Sequence, residues 1–168
     1  MIALNLGSGQ RPFKPPWLNY DIQEVKWKGY TEERARYWVD EPWERHYDIS
    51  CLHHVIEHFG CGEADDMIRK CYDYLKEDGS LLVFVPDLRL LAQRWLTHQL
   101  DTQLMMTQIH GAFMGDEADR HKWGFDKRSL TEYLEKFGWS QVKPFDWREI
   151  EGADIARDFY ICGMECVK

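Results

Sequence analysis

Residues 53 to 59 read HHVIEHF, and within them His54, Glu57 and His58 stand in H-x-x-E-H spacing. On a helix, positions 54, 57 and 58 share one face, which would gather two metal-binding imidazoles and a carboxylate able to act as general base. That is zinc-hydrolase chemistry. A looser set of soft ligands, Cys51, His53, His54, His58 and Cys61, lacks the paired C-x-x-C spacing of a structural zinc site. Three fixed positions are easily matched in a chain with seven histidines and 29 acidic residues. The expectation is therefore no bound metal, with Glu57 in a structural role and His58 either hydrogen-bonding a neighbouring loop or serving the site.

A second constellation lies near the start of the chain. Ile2 to Leu6 is an apolar run ending in Gly7-Ser8-Gly9, which reads as a buried strand and a tight turn. Trp17 to Ile22 reads as the next strand, with Asp21 near its end. Glycine lets a backbone approach a ligand that a Cβ would block, and a carboxylate one strand over can accept both ribose hydroxyls of a nucleoside cofactor. Dinucleotide folds place that acid about 20 residues beyond the glycines, after a full helix. Here only residues 10 to 20 intervene, with Pro12, Pro15 and Pro16 among them. The helix whose N-terminus would hold a pyrophosphate is thus shortened or missing. A cofactor without phosphates fits better than NAD, which points to S-adenosylmethionine.

The remaining pattern says what must position these groups. Tyr47 to Leu52 reads as a strand feeding the histidines, and Arg36 to Val39 as a short one ending at Asp40. Met67, Ile68, Cys71, Tyr72 and Leu75 give Glu63 to Lys76 helical spacing, stopped at Asp78-Gly79. Leu81 to Val85 is a buried strand, Leu88 to about Ile109 one long helix, and residues 110 to 126 an aromatic loop. Ser129 to Phe137 reads as a helix ended by Gly138. Trp139 to Trp147 and Phe159 to Val167 are two closing strands that pair as an antiparallel hairpin. Strands alternating with helices imply an α/β layer fold with a mostly parallel sheet.

Composition narrows the function classes. The chain has 168 residues, the size of one domain, and a net charge of -8 that disfavours nucleic acid as a partner. No stretch is long enough to span a bilayer, and no signal peptide precedes the first strand. Five cysteines in no framework spacing fit a reducing cytoplasm.

Four blocks then resemble a known family. LNLGSGQRPFKPPWLNYDI looks like the first motif and second strand of class I S-adenosylmethionine-dependent methyltransferases, and is similar to the short methyltransferase type 11 group that often accompanies glycan-modifying genes. YDISCLHHVIEHF resembles that group's fourth-strand motif. CYDYLKEDGSLLVFVPDL resembles its K-P-G-G, strand, P-D block, and HKWGFDKRSLTEYLEKFGWSQV its H-x-x-x-F-D, helix, G-F ending. The resemblance implies a Rossmann-like fold with a single methyltransferase domain over residues 1 to 168, in which residues 88 to 126 cover the substrate. It implies that Gly7, Ser8 and Gly9 face the methionine half of the cofactor and that Asp21, with Ile22, takes the ribose. Val39 and Asp40 would border the adenine, and Cys51, Leu52 and His53 the methionyl end. Asn5 stands where the family has an acid facing the cofactor's ammonium group, and Lys76-Glu77-Asp78-Gly79 replaces K-P-G-G.

Methyl transfer needs alignment and exclusion of water, with one modest base at most. His54 is the first candidate, emerging at a strand's carboxyl end; His121, in the covering loop, is the second. Asp87 reads as a helix cap. No Asn-Pro-Pro-Tyr or Pro-Cys motif marks a nucleobase substrate, so the expected acceptor is a hydroxyl or other nucleophile of a small molecule or sugar. The rival reading is a regulatory module that binds the cofactor without transfer, completing its pocket as a homodimer.

Overall fold

The computed structural model describes residues 1–9, 12–21, 35–37, 43, 46–111, 117–150 and 160–168, and the side chains of these except 35–37 and 61. Seven strands form one sheet: β1 Ala3–Leu6, β2 Trp17–Asp21, β3 Ala35–Tyr37, β4 Tyr47–His53, β5 Leu75–Pro86, β6 Gln141–Pro144 and β7 Ile161–Val167. Their order is β3-β2-β1-β4-β5-β7-β6. The first five run parallel, while β7 inserts antiparallel between β5 and β6. This is the expected α/β architecture with an antiparallel C-terminal pair. The strand order reverses direction between β1 and β4, which opens a crevice at their carboxyl ends.

Burial on both faces explains the near-continuous apolar strands. Leu4, Leu6, Leu52, Leu81 and Val83 pack with Ile68 of α1 (Cys61–Tyr74) and with Leu130 and Leu134 of α4 (Lys127–Leu134). Ala3, Cys51, Leu82 and Phe84 point the other way, onto Phe13, Trp17 and Ile150. Among the described residues no helix lies between β1 and β2. A strap at residues 12–16 covers that face instead, anchored by a buried amide. The Asn19 side chain accepts from Phe13 N at 2.8 Å, donates to Phe13 O at 3.0 Å, and accepts from Asn5 Nδ2 at 2.9 Å.

Several boundaries differ from the sequence reading. The single helix over 88 to 109 is two, α2 (Leu88–Leu96) and α3 (Thr102–His110). His98 takes φ +56° between them, and Asp101 caps α3 by accepting from Leu104 N. The helix α1 ends at Tyr74, before Asp78-Gly79, and β5 starts at once with an irregular register against β4. The HHVIEHF stretch holds no α-helix. His54 sits at φ +54° and donates its N–H to Phe84 O, and only Ile56–His58 forms a 3-10 turn. Asp87 does cap α2, accepting from Arg89 N and Leu90 N. No described helix is long and apolar enough to cross a membrane. Cys51, Cys71, Cys162 and Cys166 are buried free thiols.

Two glycines test the packing from opposite sides. A Cβ on Gly163 would lie 2.3 Å from the Phe84 ring and 2.5 Å from Phe145 O, whereas one on Gly62 would meet nothing within 4 Å. Gly163→Ala should therefore destabilise by about 1–3 kcal/mol. Gly62→Ala, in the first turn of α1, should be neutral or stabilise by up to about 1 kcal/mol. Urea unfolding of the two variants checks the contrast.

Candidate functional site

The turn after β1 is stitched to the end of β2. Ser8 N donates to Tyr20 O at 3.1 Å, and Gly9 N donates to Asp21 Oδ2 at 2.8 Å. Gly7 and Gly9 take φ +66° and +52°, a region L side chains rarely adopt. Their surroundings differ: a Cβ on Gly7 would lie 2.5 Å from Val55 Cγ2, while one on Gly9 would meet nothing within 4 Å. Gly7 thus lets the turn close onto the residue after His54, and Gly9 presents backbone to open space. Asn5 Oδ1 and Ser8 Oγ are buried there without a hydrogen-bond partner. Such orphans are rare in a folded interior.

A second group forms at the end of β4. His54 Nδ1 donates to Glu57 Oε1 at 2.9 Å, with His54 24% exposed and Glu57 1%. Burial works to raise the Glu57 pKa, but the His54 hydrogen bond and the charges of His54 and His58 outweigh it and hold the carboxyl below its ordinary value. The Glu57 carbonyl accepts Lys122 N at 2.7 Å and Trp123 N at 3.1 Å, which pins the aromatic loop onto the strand end. That loop brings in His121, whose ring lies edge-on to His58 at 4.7 Å and whose Nδ1 donates to Gln108 O at 3.0 Å. Burial pushes the His121 imidazole below its usual value, against the pull of Glu57.

The structure sorts the residues named from sequence. Gly9 and Asp21 meet at the carboxyl ends of β1 and β2, Gly7 packs against Val55 just after His54, and Asn5 and Ser8 lie on the same β1 and its turn. Cys51 and Leu52 send their side chains into opposite core faces. Ile22, Val39 and Asp40 lie outside the described residues, as does the Cys61 side chain. The zinc-hydrolase grouping does not form as spelled. His54 and Glu57 meet, but because the stretch is not helical His58 turns to His121 instead. Cysteine nucleophiles are excluded among the described thiols, since burial pushes Cys71 and Cys162 up to about 12 and Cys51 and Cys166 higher still. Once zinc chemistry is set aside, sequence reasoning leaves Glu57 only a structural role. The signal it carried was an acid between Ile56 and His58 in an otherwise apolar and aromatic run.

No protein-family model matches the sequence, and no curated protein matches it either. Solved structures share its fold. Human N-acetylserotonin methyltransferase, crystallised in complex with SAM, matches with a TM-score of 0.60 at 13% identity, over 99% of this chain and 47% of that one. A SAM-dependent methyltransferase from Archaeoglobus fulgidus matches at 0.58 and 14% identity, over 99% of this chain and 85% of that one. The 1,6-didemethyltoxoflavin-N1-methyltransferase of Burkholderia thailandensis, with bound 1,6-didemethyltoxoflavin and S-adenosylhomocysteine, gives 0.55 and 15%, over 99% and 70%. The chain spans about half the length of the human enzyme. At such identities the likeness is one of fold: a Rossmann-like α/β sheet of the methyltransferase kind.

The contact between Gly7 and Val55 yields a double-mutant test. Gly7→Ala should lose about 1–2 kcal/mol to backbone conformation, with a further steric loss against Val55. Measured in a Val55→Ala background, the steric part should vanish and the conformational part remain. Chemical denaturation of the four proteins reads the coupling.

Proposed function

We propose that this chain is an S-adenosylmethionine-dependent methyltransferase, of the short type 11-like kind, acting on a hydroxyl or other nucleophile of a small molecule or sugar. The observation that carries the reading is the corner made by Gly9 and Asp21. A positive-φ glycine with open space beside it is fixed by the carboxylate at the end of the next strand, at the crevice where open α/β sheets bind ligands. A carboxylate accepts through about four lone-pair sites, the chemistry that paired ribose hydroxyls require. The partnerless Asn5 Oδ1 and Ser8 Oγ suit the polar methionyl end. Among the described residues no helix lies between β1 and β2, so none there offers its N-terminus to a pyrophosphate.

The cofactor supplies an electrophilic methyl group on a sulfonium centre. The protein's own part is alignment, exclusion of water and removal of one proton. His54 is the base assigned to that proton, a role supported by its donation of Nδ1–H to Glu57, which favours the tautomer with the lone pair on Nε2. His121 is the second candidate base. Residues 88 to 126 cover the acceptor, a role supported by the two hydrogen bonds from Lys122 and Trp123 to Glu57. The family resemblance assigns Ile22, Val39 and Asp40 to the adenosine, and the Cys51 to His53 backbone to the methionyl end.

Calorimetry of chelator-treated protein with S-adenosylhomocysteine should show one-site binding, with none for NAD. Asp21→Ala should weaken it tenfold or more, about 1.4 kcal/mol. Asp21→Asn, which keeps an acceptor for Gly9 N–H, should fall between. His54→Ala should leave affinity within about threefold while lowering turnover, the pattern of a residue acting in the chemical step. Absence of S-adenosylhomocysteine binding overturns the reading.

A further inference from the structure

A different observation concerns the groups behind His54. One ligand atom from each of Glu57, His58 and His121 lies within 4.8 Å of the others. Three ligands about 2.0–2.2 Å from a common ion stand roughly 3–4 Å apart, so a contraction on the order of 1 Å closes the set. Glu57 Oε2 and His58 Nδ1 are buried with no hydrogen-bond partner. Glu57 is 1% exposed, and a carboxylate oxygen sealed in this way without a donor is costly. Both orphaned atoms belong to residues of this cluster, whose third member also has its lone pair set. His121 Nδ1 donates to the Gln108 carbonyl, which accepts only, so the lone pair is on Nε2.

We propose that Glu57, His58 and His121 bind a divalent transition-metal cation, with His54 and the Gln108 carbonyl acting as positioning groups. Two imidazoles and one carboxylate form a three-ligand set of the kind that keeps coordination positions open, and imidazole favours zinc-like ions over magnesium. The supporting contacts are those metal ligands commonly have. The imidazole of His121 donates its other nitrogen to a backbone carbonyl, and the carboxylate of Glu57 receives a hydrogen bond on the oxygen that would not face the ion. The H-x-x-E-H spelling therefore does mark metal ligands, but with His54 behind the carboxylate and His121, from a distant loop, as the second imidazole. If the methyltransferase reading holds, on which this part rests, the open positions take an oxygen of the acceptor. A hydroxyl bound there gives up its proton to a base such as His54 more readily than a free one.

The test is a titration of chelator-stripped protein with Co2+, followed by its visible ligand-field bands, with displacement by Zn2+. One equivalent should bind, and both Glu57→Gln and His121→Ala should weaken binding at least tenfold. His46→Ala, at an exposed histidine, should not. Asp21→Ala should leave Co2+ binding unchanged, so failure here and failure of the cofactor reading are separate outcomes. Zn2+ should also raise the melting temperature of the intact protein, and that shift should vanish in His121→Ala, which keeps the test valid if Glu57→Gln does not fold. Absence of bands, bands indifferent to both substitutions, or a sulfur-to-cobalt charge-transfer band placing the ion on cysteine would overturn the proposal.

Discussion

A carboxylate removed from water must be compensated, because the desolvation of a charge costs several kcal/mol and an isolated one does not survive folding. Glu57 meets this constraint at the meeting point of three segments. Its Oε1 accepts a hydrogen bond from His54, its carbonyl accepts two N–H groups from the aromatic loop, and its carboxylate lies near His58 and His121. His54 itself is held at φ +54°, a conformation that costs on the order of 1–3 kcal/mol and persists only where its surroundings enforce it. The strain, the buried charge and the loop closure are therefore one arrangement. Loosening any of them exposes the others to water.

The opposite side of the crevice solves a different problem. A parallel sheet needs cover on both faces, and no helix is described between β1 and β2. Asn19 resolves this with a single side chain that pairs with both backbone groups of Phe13 and with Asn5. Phe13 and Trp17 then pack edge to face at 5.1 Å over Cys51, Leu82 and Phe84. The glycine turn emerges between this strap and Val55, so its shape is set from both sides.

Much of this was legible from the chain. The strands at Ala3–Leu6 and within Leu81–Val85 announce themselves as apolar runs bounded by Gly7 and Gly79, and Gly138 ends its helix in the left-handed region as its position implies. The Gly7, Gly9 and Asp21 grouping followed from spacing alone. Other features depend on forces that periodicity does not record. The apolar spacing of 88 to 109 runs through the break at His98, and only the cap at Asp101 hints at a second helix. His54, Glu57 and His58 match a helical face, yet burial of Val55 and Ile56 against the sheet wins over local propensity. His121 reaches His58 through tertiary folding, which no local pattern encodes. Nothing in the sequence around Asn19, between Leu18 and Tyr20, marks it as the anchor of the strap.

The sheet's two margins are built differently from its middle. The described part of β3 is three residues long. The other margin, β6, has four, mostly exposed, with Pro144 lacking a donor and Lys143 paired to Glu165 at 3.0 Å. Short margins carrying proline and charge are poor templates for a further strand. Of the six large apolar side chains exposed among the described residues, Trp95, Leu96, Leu104 and Met106 lie on the two helices after β5, and Met1 and Trp123 do not. On the β6 side, the layer that holds the glycine turn and Glu57 in register is thus guarded against the strand addition that open β edges invite.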